Sequence, residues 1–129
     1  MRVSEAITRG IRVEAEATYD EQRSDPGQGH YFFSYRIRLE NLGEETAQLL
    51  SRHWIITDGN GHVEQVRGPG VVGEQPVLAP GGTFEYVSFC PLPTDVGTMQ
   101  GTYQMRTSTG ELFDAEIAPF TLAAPQLIN

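Results

Sequence analysis

Apolar and polar residues alternate along most of the chain, which is the pattern of half-buried β-strands. The alternation is clearest over residues 11–19 and 31–40, where every second side chain is apolar. Further predicted strands lie over 47–57, 62–66, 83–89, 99–107 and 112–117, with Phe120 and Leu122 continuing the pattern after Pro119. The best helical candidate, 44–50, spans only about two turns. The pattern therefore predicts an all-β protein.

Turn-forming residues separate the predicted strands and suggest how the strands are arranged. Asp58-Gly59 and Asn60-Gly61 stand between two strands and predict a hairpin. Strands of this length in 129 residues predict an immunoglobulin- or fibronectin type III-like β-sandwich of seven or eight strands, with a closed barrel as the alternative. We expect a single domain over 1–129, with the folded sandwich over about 8–122 and a loose C-terminal tail over 123–129.

The charge balance narrows the classes of partner. The chain has 9 cationic and 17 acidic side chains, a net charge of -8, and every cation is an arginine. Such an acidic surface repels phosphate backbones and anionic lipid, so we expect neither a nucleic-acid partner nor a membrane partner. Residues 31–73 are nearly neutral, because most of the net negative charge lies in the flanking segments. This middle segment is therefore the least repulsive to an anionic partner.

Several features point to a cytoplasmic protein. The chain has no apolar run of about 18 residues and no apolar leader at its N-terminus. Its single cysteine, Cys90, has no second cysteine with which to form an internal disulfide, which suits a reducing compartment. We therefore expect a cytoplasmic location.

The most distinctive residues form an ordered set of motifs. These are Ser51-Arg-His-Trp54, Val66-Arg-Gly-Pro-Gly-Val-Val-Gly-Glu-Gln-Pro76 and Met99-Gln-Gly-Thr-Tyr103. The set resembles the ApaG family of small bacterial proteins, over about residues 13–122. The resemblance implies a fibronectin-like β-sandwich, an association with cobalt and magnesium homeostasis, and no established enzymatic activity. Related domains in certain F-box and polymerase-delta-interacting proteins imply a protein-binding role.

A glycine-rich segment, Gly68–Gly73, satisfies the pattern G-x-G-x-x-G. A dinucleotide site would need a helix to begin within the pattern, and Pro76 and Pro80 leave no room for one. Two interpretations stay open. The amides of 70–73 could form an anion-binding nest beside Arg67, or the glycines could serve a loop that requires positive φ. We favour the second interpretation.

Residues 52–54 lie within a predicted strand, so their side chains alternate between the two faces. Trp54 is expected in the core, and His53, on the other face, is expected to be a hydrogen-bonded structural residue. Arg52 is expected to pair with Glu40 or Asp58, with anion binding as its alternative role.

Metal and catalytic signatures are weak. His30, His53 and His62 are scattered and lack the spacing of zinc ligands, and no serine stands in a nucleophile-elbow context. Glu14 and Glu16 fall on a solvent face and are expected to serve solubility. We therefore predict no catalytic residues, no metal ligands and no cofactor.

These observations favour a non-enzymatic binding module whose partner is another protein. The candidate contact residues are Arg52, Arg67, Gly68, Gly70, Val71, Val72, Gly73 and Gln75. This hypothesis predicts that Val71→Glu or Val72→Glu leaves folding intact and abolishes partner capture. The alternative is a nucleotide- or pyrophosphate-binding protein that uses Gly68–Gly73, with a nucleotide-related hydrolase as its enzymatic form. A homodimer through an exposed edge strand is compatible with either.

Overall fold

The computed structural model describes residues 3–125, and its regular structure is almost entirely β. The strands are β1 Ser4–Thr8, β2 Ile11–Tyr19, β3 Tyr31–Asn41, β4 Ala47–Asp58, β5 Val63–Pro69, β6 Val77–Leu78, β7 Thr83–Leu92, β8 Val96–Thr107 and β9 Leu112–Ala123. One 3-10 turn, Pro26–Gln28, lies in the loop between β2 and β3. Within 3–125 no helix has the length and apolar character needed to cross a membrane.

The strands form two antiparallel sheets. The first has the order β1-β2-β3-β7 and the second β5-β4-β8-β9, with β6 pairing β4. This confirms the all-β sandwich prediction, and the seven strands predicted from alternation correspond to β2, β3, β4, β5, β7, β8 and β9. The short strands β1 and β6 are additions, so the first sheet begins at Ser4 and not at residue 8.

The structure differs from the sequence prediction at residues 44–50, and it describes only part of the predicted tail at 123–129. The candidate helix at 44–50 is not formed: residues 43–45 form a bend, and β4 begins at Ala47, where the strand over 47–57 was predicted. The tail predicted over 123–129 is described only as far as residue 125, and Ala123 belongs to β9.

The core fills the space between the sheets because alternate residues of each strand point inward. In β3 these are Phe33, Ile37 and Leu39, all fully buried. Trp54 of β4 is 2% exposed, and its ring meets Tyr103 edge-on, with the centroids 6.2 Å apart. The prediction that Trp54 lies in the core is confirmed.

The two lateral sides of the sandwich differ. On one side β1 and β9 are joined: the Ser4 hydroxyl donates to the carbonyl of Ala118, and the Glu116 amide donates to the Thr8 hydroxyl at 3.0 Å. On the other side lie β5 and β7, and each of them has one strand partner among the described residues. The segment between β5 and β6 leaves the sandwich on this second side, and it contains the glycine-rich residues.

Candidate functional site

The glycine-rich segment forms a tight hairpin turn between β5 and β6. We call residues 68–76 the glycine loop. Val71 and Glu74 exchange both backbone hydrogen bonds, with N···O distances of 2.8 and 2.9 Å, which leaves Val72 and Gly73 as a two-residue turn. Both turn residues have positive φ, 44° and 80°. Positive φ at both central positions is the geometry of a type I′ hairpin turn.

Arg52 holds the glycine loop in place through hydrogen bonds to the loop backbone. Its Nη1 donates to the carbonyls of Pro69 and Gly70, both at 2.9 Å. Gly68 lies opposite Arg52 in the β4–β5 register, and a Cβ on Gly68 would come within 2.9 Å of the guanidinium. Glycine at position 68 therefore makes room for the Arg52 side chain.

The carboxylate partners predicted for Arg52 are wrong. Glu40 is bound instead by Arg12 and, at 3.2 Å, by Arg38. Hydrogen bonds from Arg12 and then from Arg38 hold the pKa of the Glu40 carboxyl below its usual range. The Asp58 carboxylate accepts backbone amides of its own hairpin turn. Arg52 finds carbonyl oxygens because the loop folds back over β4.

The loop backbone is largely committed to internal hydrogen bonds. The Gly70 amide donates to the carbonyl of Leu50 at 2.8 Å, and the Gln75 side-chain amide donates to the same carbonyl at 2.9 Å. The Val71 amide is bound to Glu74, as described above. Two of the four amides of 70–73 are thus occupied, which weakens the anion-nest interpretation and favours the purely conformational role of the glycines.

The two valines of the loop have opposite environments. Val71 is 1% exposed and belongs to the core, so it is not available as a surface contact. The prediction that Val71→Glu leaves folding intact was wrong, because that change would bury an unpaired carboxylate. Val72 is 53% exposed at the tip of the turn. A β-branched residue at φ 44° is strained, and left-handed backbone costs an L-residue about 1–2 kcal/mol.

A polar cleft lies beside the loop, on the outer face of the second sheet. His53 is the register partner of Arg67 on β5 and of Thr102 on β8. The cleft has a volume of about 460 Å³ and is lined by Ser51, Arg52, His53, Arg67, Gly68, Pro69, Thr102, Gln104 and Asp114. His53 shares a hydrogen bond of 2.8 Å with Gln65, which confirms its prediction as a hydrogen-bonded residue.

Arg67 is the unpartnered cation of this cleft. Every other arginine within 3–125 has an ion pair or a hydrogen bond to another side chain or to backbone; these are Arg9, Arg12, Arg23, Arg36, Arg38, Arg52 and Arg106. Arg67 has neither with any residue of the described part of the chain, and it is exposed. In a chain of net charge -8 a free guanidinium stands out, since acidic side chains outnumber basic ones almost two to one.

The described residues show little sign of metal or thiol chemistry. Across residues 3–125, no group of three or more histidine, cysteine, aspartate or glutamate side chains could hold a metal ion. Cys90 is buried, and burial, followed by the nearby charge of Glu64, raises the pKa of its thiol to about 11. The thiol is therefore protonated at neutral pH and is a poor nucleophile.

Comparison with known proteins decides the family. The family model described as the ApaG domain matches residues 21–107. The chain belongs to the ApaG family. Protein ApaG of an Azoarcus species is 53% identical over 127 residues, covering 98% of this chain and 100% of the relative. Protein ApaG of Xanthobacter autotrophicus is 52% identical over 122 residues, covering 95% and 94%.

A solved structure agrees with the ApaG assignment and with the fold. The ApaA protein from Bordetella pertussis superposes with a TM-score of 0.88 at 52% identity, covering 91% of this chain and 95% of that one. The family resemblance inferred from the sequence motifs is thereby confirmed. The sandwich architecture of this ApaG chain is shared with that structure.

Proposed function

We propose that this ApaG domain is a non-enzymatic protein-binding module of the cytoplasm. Its contact surface is formed by the tip of the glycine loop, at Val72, together with the outer-face cleft around Arg67. The observation that carries the proposal is the exposed, strained Val72 on a loop whose other parts are fixed.

The loop has the properties of a preorganised contact. Arg52, Gly70 and Gln75 fix its backbone through hydrogen bonds to and from the chain around Leu50. A fixed loop loses little conformational entropy when it binds, so most of the contact energy is retained. Asparagine or glycine would relieve the strain at position 72, and the turn itself does not require valine there. An apolar side chain at this position suits a contact with an apolar pocket of a partner.

Arg67 indicates a second feature of the proposed partner, an acidic side chain. A guanidinium without an internal partner is suited to a bidentate contact with a carboxylate. The hydroxyls of Ser51 and Thr102 line the same cleft and add polar contacts. The partner we propose therefore presents an apolar side chain to Val72 and an acidic side chain to Arg67. The association of the family with cobalt and magnesium homeostasis would then act through that partner.

The nucleotide alternative has less support. It requires the amides of 70–73 to bind phosphate, and the amides of Gly70 and Val71 already donate to carbonyls within the chain. Arg52, the second cation that this alternative could use beside Arg67, already donates from Nη1 to the loop carbonyls. What remains for an anion is Arg67 with the amides of Val72 and Gly73, which is half of the set that the anion nest would use.

Affinity capture with three matched variants tests the proposal. The tagged wild type, Val72→Asn, Arg67→Gln and the control Leu112→Asn are compared by quantitative mass spectrometry of proteins captured from the native host's extract. Leu112 is about as exposed as Val72, but it begins β9 and belongs neither to the glycine loop nor to the residues that line the cleft. We expect one set of proteins to be lost with both loop and cleft variants and kept by the control. Equal capture by all four folded proteins would refute the proposed surface.

A nucleotide titration distinguishes nucleotide binding from the proposed protein binding. The backbone amide chemical shifts of isotope-labelled wild-type protein are followed by NMR as ATP or pyrophosphate is added. Saturable shifts confined to 67–75 would replace the protein-binding proposal with the nucleotide one, whereas unchanged spectra at millimolar ligand support the proposal.

A further inference from the structure

The central part of strand β7 is an exposed edge of the first sheet, since its charged residue, Glu85, and its proline, Pro91, lie toward its two ends. The strand has 10 residues and pairs only with β3 among the described strands. Natural edge strands are usually blunted by charges, prolines or a covering element. β5 has Glu64 and Arg67 along its length and ends at Pro69, and β1 and β9 cover each other. The one charged residue of β7 is Glu85.

The position of Pro91 shows which residues of β7 offer their backbone to the free edge. Pro91 lies within β7 opposite Phe32 of β3. Proline has no amide to donate, so within a sheet it occupies positions whose amide points away from the neighbouring strand. Amide direction alternates along a strand. Glu85, Val87 and Phe89 therefore direct their amides and carbonyls to the free edge.

The same residues give the edge an apolar outer face. Val87 is 51% exposed and Phe89 is 47% exposed. The Phe89 ring lies beside that of Phe32, with centroids 5.7 Å apart. The Arg23 guanidinium covers both rings, at 4.8 Å from the Phe89 centroid and 5.6 Å from that of Phe32. A cation thus stands directly over the apolar patch.

We propose that β7 binds β7 of a second copy of this chain, antiparallel, about a two-fold axis at Val87. In this register Val87 faces its own equivalent, and Glu85 faces Phe89 of the second copy. Within one copy Glu85 pairs with Arg36 at 3.3 Å and Arg23 pairs with Asp20 at 3.5 Å, and both Glu85 and Arg23 keep about half of their side-chain surface exposed. Because Arg23 lies over Phe89, each Glu85 carboxylate also meets the Arg23 guanidinium of the other copy, which extends these two ion pairs across the interface. The strand is thus complementary in charge to itself, which selects a second copy over an unrelated extended peptide.

Such a dimer pairs the free backbone groups of β7 and brings the two exposed Val87 side chains together. The two first sheets join into one continuous sheet across the two-fold axis, so the free amides and carbonyls of Glu85, Val87 and Phe89 are paired. The Val87 side chains of the two copies become cross-strand neighbours, and such an apolar pair stabilises a sheet. The contact is isologous, so it closes at two copies and does not propagate.

Proline substitutions at two matched edge positions test the pairing. Sedimentation equilibrium and light scattering are measured on the full chain from about 1 µM to about 1 mM, a range that covers weak to moderate dissociation constants. Val87→Pro replaces an amide that faces the free edge, so it should keep the fold and raise the dimer dissociation constant by at least about tenfold. The control is Val63→Pro on β5, where Val63 is 50% exposed. Val63 lies an even number of residues from the native Pro69, so its amide points to the same side of the strand as the position that already holds a proline. We expect the control to leave the dimer unchanged.

A charge exchange tests the register. Glu85→Arg and Arg23→Glu should each weaken the dimer by several-fold, since each brings two pairs of like charges together across the interface. The double variant should restore the dimer toward the wild-type dissociation constant, and only in part, because each change also places a like charge beside Arg36 or Asp20 of its own copy. Circular dichroism establishes that each variant is folded. A wild type that stays monomeric up to the highest concentration overturns the proposal, as does a dimer that Val87→Pro leaves intact or that the double variant fails to restore even in part. A monomer whose β7 binds an extended peptide would also overturn it, in favour of another occupant.

Discussion

Replacing Val72 by asparagine should stabilise the fold while removing the proposed contact. Val72 is one of two non-glycine residues with positive φ among the described residues. Asparagine tolerates left-handed backbone because its short polar side chain forms local hydrogen bonds, whereas a β-branched side chain crowds the backbone there. The substitution therefore relieves strain that the turn itself does not require.

The size of the effect follows from the exposure of the side chain. Left-handed backbone costs an L-residue about 1–2 kcal/mol, most of which asparagine avoids. Val72 is 53% exposed, so the substitution gives up at most about half of the roughly 2 kcal/mol that full burial of a valine is worth. The expected net effect is a stabilisation of up to about 1 kcal/mol. The control Val63→Asn lies on β5 without positive φ, and lost strand propensity should destabilise it by about 0.5–1 kcal/mol.

Urea unfolding measures the difference directly. The chain has a single tryptophan, Trp54, which is buried and reports unfolding through its fluorescence. We expect the midpoint to rise for Val72→Asn and to fall for Val63→Asn, at unchanged m-value. If Val72→Asn is destabilised as much as the control, position 72 is not strained, and the main support for the proposed contact is lost.

Three further outcomes follow from the geometry. Gly70→Ala should cost about 3 kcal/mol, because φ is +59° and its Cβ would lie 2.3 Å from a backbone oxygen, whereas Gly73→Ala, with open space around it, should cost about 1 kcal/mol in the same urea assay. The Cys90 thiol should react with a disulfide reagent far more slowly in the native state than after unfolding, and equal rates would contradict its raised pKa. The arginine hydrogen bonds that lower the pKa of Glu40 stabilise the fold above the ordinary glutamate pKa of about 4.3, and this contribution is lost as pH falls through the lowered value. The urea midpoint of Glu40→Gln should therefore fall less between neutral and acidic pH than the urea midpoint of the wild type does.

Most of the sandwich could be predicted from sequence because each long strand has one buried face. In β2 and β3 every second residue packs in the core, so the alternation is strict and the strand limits were close to those observed. β1 was missed because its residues are half-exposed or exposed. β6 was missed because two residues are too few to show a period.

Proline and glycine positions show where local sequence is misleading. Pro119 interrupts the pattern of the last strand, yet β9 runs through it, because β9 is an edge strand with a register shift beside Gly101 where a missing amide is tolerated. A Cβ on Gly101 would lie 1.9 Å from the carbonyl oxygen of His53, so glycine is required by the close approach of β4. Such a requirement is tertiary and leaves no local signal.

The candidate site was found only in outline. The motif residues Arg52, Arg67 and Val72 do lie around one loop, but their roles depend on contacts between distant segments. Arg52 was expected to bind a carboxylate and instead binds carbonyls 17 and 18 residues away. Sequence alternation could not distinguish buried Val71 from exposed Val72, because the turn breaks the strand pattern between them.

Photo-crosslinking at the loop tip tests directly whether Val72 and the cleft around Arg67 form one protein-contact surface. A photoreactive amino acid replaces Val72 in one variant and Leu112 in a control, and irradiated cells are searched for crosslinked products by mass spectrometry. We expect the photoreactive residue at position 72 to crosslink to a protein that the control at position 112 does not crosslink. This crosslinked product should be lost when Arg67→Gln is added. Products that are the same from both positions, or a product at 72 that Arg67→Gln leaves unchanged, would contradict a single contact surface formed by the loop and the cleft.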